Sequence, residues 1–414
     1  MKILIRSFAA LLAAVLTVTA CDGSGKLLFN AVTANVQKIG DGQTGLATYP
    51  LNIPPAVKVR DGSGHPLAGV QVTFAVTSGG GSITGGAATT GSDGIAAVGS
   101  WTVPLGVNTL SATVPRSSGP VSFTATGVTA AYTIDVRFLT TPTPSRQAAF
   151  DSAAAHWERL IYGDVIDIPL SEPGDTLKKY CNTGKITPPD LNETVDDILI
   201  YAVFDSIDGP GGIIGRAGFC IYRQNGFQPV VGAMTFDTAD VANLEAAGKF
   251  DETVLHEMGH VLGFGTTWGS FYDNLLVGGG GIDPHFVGTQ ATNAFNRIGG
   301  TGYTAGLKVP VENTGGLGTR DSHWRKTVFG PELMTGILSG GVPNPLSVVT
   351  VASMGDEGYQ VNYAAADPFS LTLAAAFLRG QGATTEIQLG DDILHLPKLG
   401  VDARGRIMEI RAPR

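Results

Sequence analysis

The chain has 414 residues, 43% of them hydrophobic, with a formal net charge of -9 and 15% charged residues. That length and apolar content supply cores for two domains, and an acidic chain without a basic run excludes nucleic acid as a partner. The 57 glycines and sparse charge point to a loop-rich, β-containing extracellular protein rather than a helical one.

Met1 to Ala20 has the parts of an export signal. Lys2 and Arg6 give a positive start, and Phe8 to Val18 is an apolar stretch too short to cross a bilayer comfortably. Val18-Thr-Ala-Cys21 resembles a bacterial lipobox. The resemblance implies cleavage before Cys21 and a lipid on that residue, with 21–29 as a tether and the membrane as a partner through this anchor. The expected location is exported, periplasmic or at the cell surface; the alternative is an ordinary leader with an incidental cysteine. With Cys21 lipidated, Cys181 and Cys220 have one pairing left, and an oxidising space lets a disulfide persist. Two buried free thiols, or a thiol that caps a metal ion, are the alternatives.

Residues 30–130 show no helical period. Short β-type runs such as Ala56-Val-Lys-Val59 and Val121-Ser-Phe-Thr-Ala-Thr126 alternate with Gly, Ser and Pro breakers. In Val70-Gln-Val-Thr-Phe-Ala-Val76, the residues Val70, Val72, Phe74 and Val76 share one strand face. Such strands predict an antiparallel sandwich. Val59-Arg-Asp-Gly-Ser-Gly-His-Pro-Leu-Ala-Gly-Val-Gln-Val-Thr-Phe74, Gly79-Gly-Gly-Ser-Ile83 and Ser92-Asp-Gly-Ile-Ala-Ala-Val98 with Trp101 resemble the bacterial immunoglobulin-like domains of the invasin and intimin type. That resemblance implies either a rigid spacer or a module that docks on a surface or host protein.

A Pro-rich join at Thr140–Ser145 leads into a helix, with Phe150, Ala153, Ala154, Trp157, Leu160 and Ile161 on its buried face and Gly163 at its end. His156, beside that face, reads as structural. Asp197–Phe204 and Val230–Phe236 are near-continuous apolar runs, as in buried strands. Next comes Thr253-Val-Leu-His-Glu-Met-Gly-His-Val-Leu-Gly-Phe264. On a helix, His256 and His260 are four apart and lie on one face, so both imidazoles reach one metal ion. Glu257 stands where it can take a proton from a water activated by that ion. Asp251 is the expected cap and Gly263 the expected stop.

A catalytic zinc site has three protein ligands and one open position, so a third ligand is needed. In compact metzincins it stands six residues after the second histidine, and here that residue is Thr266. His285 and His323 are the next candidates. His323 lies in Asp321-Ser-His-Trp324, shortly before Pro331-Glu-Leu-Met-Thr-Gly336. With His-Glu-Met-Gly-His-Val-Leu-Gly-Phe, this order resembles the leishmanolysin family of metzincin proteases over about Ser145 to Tyr363. The resemblance implies one zinc per chain on His256, His260 and His323, Glu257 as general base, and Met334 beneath the metal. It also implies that Val230–Phe236 is the edge strand that pairs with extended substrate, and that Leu346–Tyr359 is the closing helix, with Ser347 as its cap. His285 competes with His323.

The stretch 266–322 reads as a long Gly-rich insertion, with a helical turn at Ala291–Phe295. Residues 366–414 form an extension of unknown role, with strand-like or ambiguous runs at Leu371–Leu378, Thr385–Leu389 and Arg406–Arg411; His395 there reads as incidental. The expected fold is multidomain: an all-β immunoglobulin-like sandwich (30–130), then an α+β metzincin catalytic domain (131–365). The expected function is a zinc endopeptidase acting on proteins or peptides. The alternatives are a surface adhesin on an inactive protease-like scaffold and a zinc with a purely structural role.

Overall fold

The computed structural model describes residues 34–171, 180–181, 183, 186–372 and 386–411. The leader, Cys21 and the tether lie outside the described residues, as does most of Leu371–Leu378. The described chain is mostly β with a few helices.

The first part is built from short strands. β1 (Asn35–Ile39), β3 (Ala56–Arg60) and β7 (Ile95–Ala97) form one sheet. β2 (Gln43–Leu46), β4 (Gln71–Ser78), β6 (Ala87–Thr89), β9 (Gly106–Thr113) and β10 (Val121–Val128) form a second, in the order β2-β10-β9-β4-β6. β5 (Ser82–Thr84) pairs with β8 (Ser100–Thr102). In β4, Val72 and Phe74 are buried while Gln71, Thr73 and Ala75 are exposed, as the period of two requires. Val57 and Val59 from one sheet, Val72, Phe74 and Leu110 from the other, and Trp101 from the pair meet in one core. Asn52 ties this unit to the rest: its Nδ2 donates to Val361 O at 2.6 Å and its Oδ1 accepts from Tyr363 N at 2.9 Å.

The second part is organised on a sheet of β11 (Ile134–Phe138), β14 (Ile198–Asp205), β16 (Pro229–Asp237), β15 (Gly215–Arg223), β22 (Lys398–Val401) and β23 (Ile407–Arg411), in that spatial order. β12 (Ile168–Ser171) and β13 (Asn192–Val195) pair beside it. The apolar runs of β14 and β16 are explained by burial on both faces. Ile198, Ile200 and Ala202 enter the core under the helices, while Leu199 and Tyr201 enter a second core that also holds Cys181 and Cys220. Those cysteines are joined in a disulfide, with Cα atoms 5.2 Å apart.

Helix α1 (Pro144–Leu160) starts at Pro144, with Thr143 accepting Arg146 N at 3.3 Å, and buries Phe150, Ala153, Ala154, Trp157 and Leu160. Half-buried His156 stands 3.8 Å from Asp367. Helix α2 (Phe250–Leu262) carries the two histidines. It begins earlier than an Asp251 cap would allow, because Gly248 turns the chain at φ +64° and Lys249 O already accepts Thr253 N at 3.0 Å. Asp251 instead sits in the first turn, where its charge suits the helix N-terminus. Gly263, at φ 126°, ends the helix.

The edge position expected of Val230–Phe236 is not where that strand lies. β16 is inside the sheet, paired with β14 on one side and β15 on the other. The outer neighbour of β15 is the end of the chain: Ala217 N donates to Asp392 O at 2.7 Å, Leu394 N to Ala217 O at 2.8 Å, and β22 runs parallel to Ile221–Arg223. The extension after residue 365 therefore supplies two strands to this sheet.

The stretch 266–322 holds more order than a loop. β17 (Leu276–Val277), β18 (His285–Phe286) and β19 (Val309–Pro310) form a ribbon, and helix α3 (Thr289–Phe295) packs on α4 (Val348–Asp356). Ser347 caps α4 by accepting Thr350 N. β20 (Ile337–Ser339), just after the Met334 turn, pairs with β21 (Glu386–Gln388).

Candidate metal centre

His256 and His260 project from one face of α2, and His323 comes from the end of the insertion. All three are fully buried, and their Nε2 atoms lie 3.0–3.1 Å from one another. Each ring is held from behind: His256 Nδ1 is 2.8 Å from Leu333 O, His260 Nδ1 2.8 Å from Phe264 O, and His323 Nδ1 2.9 Å from Thr319 O. A carbonyl only accepts, so each Nδ1 carries a hydrogen and each neutral ring turns an Nε2 lone pair inward.

A fourth donor joins them. Asp392, also fully buried, places Oδ2 3.1 Å from His323 Nε2 and 3.5 Å from His256 Nε2. The four ligand atoms lie within 4.8 Å of one another. Burial lowers His256, and burial together with the His323 and His256 rings holds His260 well below the usual imidazole range. Burial would also lower His323, but the facing Asp392 carboxylate raises it overall. Burial would raise Asp392, yet the three histidines hold it well below the usual carboxylate range. One proton between His323 and Asp392 leaves the lone pairs of His256 and His260 facing each other; a divalent cation satisfies all four donors. The residues fit zinc, which takes imidazole nitrogen and carboxylate oxygen in tetrahedral sets.

Glu257 is fully buried beside this group, and neither carboxylate oxygen has a hydrogen-bond partner. Burial first, and then the charge of Asp392, pushes its carboxyl well up. A buried orphan acid of this kind marks a place for a reacting group. Gly215, where β15 begins, has no side chain to crowd it; a Cβ there would come within 3.4 Å of Glu257 Oε1.

Met334 is buried against α2 between the two helix histidines, where a Cβ on Gly259 would meet its Cε at 2.9 Å. His285 is elsewhere, on the ribbon, with Nδ1 2.8 Å from Asp283 O. The Cys181–Cys220 disulfide lies in the second core. Two buried acids escaped the sequence reading. Glu332 accepts Met334 N at 2.6 Å and both Ser347 N and Oγ, tying the Met334 turn to the cap of α4. Asp392 had no motif to mark it. Its Gly390-Asp-Asp392 context carries no ligand spacing, and only the three-dimensional path of the chain brings it in.

A helix-borne histidine pair with a glutamate between them, a third histidine from a later loop and a methionine turn beneath define a metallopeptidase-like centre. The model for the leishmanolysin family (Peptidase_M8) matches residues 171–388, more than half of the chain. The chain belongs to the leishmanolysin family. It is 27% identical over 220 residues to a leishmanolysin homolog of Crithidia fasciculata, covering 50% of this chain and 32% of that one. It is 26% identical over 206 residues to a ciliated left-right organizer metallopeptidase of Xenopus laevis, covering 45% of this chain and 27% of that one. The chain thus spans a third or less of each of these curated relatives.

Proposed function

We propose that this chain is a zinc endopeptidase with His256, His260 and His323 as ligands and Glu257 as general base. The observation that carries the reading is three buried Nε2 atoms converging beside an orphan Glu257. Zinc, when bound, supplies Lewis-acid polarisation of a carbonyl and activation of water. Glu257 takes the proton of the attacking water and passes it to the leaving amine. The carbonyls of Leu333, Phe264 and Thr319 hold the rings in one tautomer and orientation. Met334 fills the space below them, while β15 lies beside the centre with its outer edge taken by Asp392, Leu394 and β22.

The substrate is a protein or peptide, as the family implies. We place the boundaries at 30–130 for an immunoglobulin-like module of the invasin and intimin type and at 131–365 for the peptidase domain. The module reading is supported by its short strands gathered around one core that includes Val72, Phe74, Trp101 and Leu110, and its role is that of a spacer or a docking unit. Lipid attachment at Cys21 and a periplasmic or cell-surface location rest on the leader sequence alone.

One observation favours a second reading. Asp392 gives the centre four protein donors, and a metal closed by four protein ligands is the pattern of structural sites.

The test pairs zinc content with casein hydrolysis for the wild type and Glu257→Gln. One zinc in each is expected, with cleavage slow in the wild type and absent in the variant. Zinc-free folded protein, or full cleavage by the variant, rejects the peptidase reading.

A further inference from the structure

We propose that Leu389–Val401 is a built-in plug: it occupies the strand edge where substrate would lie and presents Asp392 as a removable fourth donor that holds the enzyme latent. The proposal rests on the zinc reading of the same centre.

Three observations meet here. First, the backbone: the edge groups of β15 that a peptide would use are engaged, with Ala217 bonded to Asp392 O and by Leu394 N, and Ile221–Arg223 paired with Leu399–Val401. Arg216 Nε also donates to Asp391 O at 3.1 Å. Second, the side chain: from the irregular stretch just before the Ile393 bridge to Ala217, Asp392 points into the histidine cluster, fully buried, with Oδ2 facing His323 and His256 and Oδ1 without a partner. A buried carboxylate whose only partners are imidazole nitrogens is costly, so the position makes sense as a metal ligand rather than as a packing residue. Third, the path: Thr319 Oγ1 donates to Gly390 O at 2.8 Å, close to where Thr319 O holds His323. The segment thus runs between the insertion and β15, across the centre. A cavity of about 1130 Å³ lies beside it, lined by Thr266, Leu276 and Ser322 and, from the segment itself, by Ile393, His395 and Lys398. The plug therefore forms a wall of the cleft that a substrate would enter. It begins directly after the residues that the family model matches.

A purely structural metal site would need Asp392 for its stability. A latent catalytic site would be opened by losing it. The test compares the full chain as wild type, Asp392→Ala and Asp392→Ala/Glu257→Gln, each loaded with zinc. The readouts are calorimetric binding of acetohydroxamate, a small chelating probe that needs an open position, and cleavage of a short quenched peptide. Asp392→Ala should bind the probe at least about tenfold more tightly than wild type, because the probe no longer has to displace a carboxylate; tenfold corresponds to about 1.4 kcal/mol. It should also cleave the peptide at least about tenfold faster, and the double variant should keep the tight probe binding and lose the cleavage. Equal probe affinity in wild type and Asp392→Ala overturns the plug, whatever the activity. Tight probe binding by Asp392→Ala without cleavage keeps a removable fourth donor and rejects the peptidase reading instead. The wild type gives a check that needs no variant: in cobalt-substituted protein, a visible spectrum that shifts at once on adding acetohydroxamate means an open position and overturns the proposal.

Discussion

Where α2 ends, the carboxyl of Glu357 is fully buried, accepting Thr267 Oγ1 at 2.7 Å and Trp268 Nε1 at 3.0 Å. Burial pushes it up to about 8 from an ordinary 4.5. Between those values the folded chain holds a proton that the unfolded chain has released. Its stabilising effect is complete below the lower value and is lost as pH rises through the higher one. Glu357→Gln keeps an acceptor for the indole and removes the titration. The variant should therefore gain on the wild type by roughly 2–5 kcal/mol between pH 5 and pH 8 in chemical unfolding. A gap that does not change with pH would place the proton elsewhere. At this scale the sequence was legible where chemistry is local. His256, Glu257 and His260 declare themselves by spacing on one helix face. His323 was readable only through its resemblance to a family pattern. Asp392 was not readable, because a carboxylate that reaches the cluster from a later strand leaves no periodic mark.

Helix α2 illustrates how an element is fixed by what it packs on. Gly259 lies between the two ligand histidines, and a Cβ there would come within 2.9 Å of both Met334 Cε and Trp157 Cζ2. Alanine is the better helix former by about 1 kcal/mol. Met334 can swing aside, but the Trp157 indole is pinned by its Nε1 bond to Leu255 O at 3.0 Å. Gly259→Ala should thus lower stability by about 1–3 kcal/mol through overpacking, as denaturant titration would show. An increase in stability would mean that propensity wins and that this contact gives way freely. The helix, its Gly263 stop and the two apolar strands were legible, because period and punctuation are local properties. The order of strands was not. A continuous apolar run says that a strand is covered on both faces, as β14 and β16 are, but it does not say which neighbour lies at each edge. The pairing puts β15, rather than β16, against Asp392, Leu394 and β22.

At the scale of the molecule, the first β unit touches the second through few polar contacts: the two from Asn52, one from Tyr162 Oη to Thr44 O at 3.1 Å, and one from Arg297 to Asn52 O at 3.5 Å. None of these partners is a donor to the metal centre. Deleting residues 30–130 in the Asp392→Ala background should leave zinc content and short-peptide cleavage unchanged, measured by elemental analysis and a quenched substrate. Loss of zinc would make the unit part of the site's scaffold. The other end of the chain has the larger consequence. A blocking strand carried on the same polypeptide competes at an effective concentration set by its tether, typically millimolar for a short link. Dilution does not weaken it. A separate inhibitor would dissociate as the protein was diluted, whereas this segment stays in place until the chain is cut or pulled away.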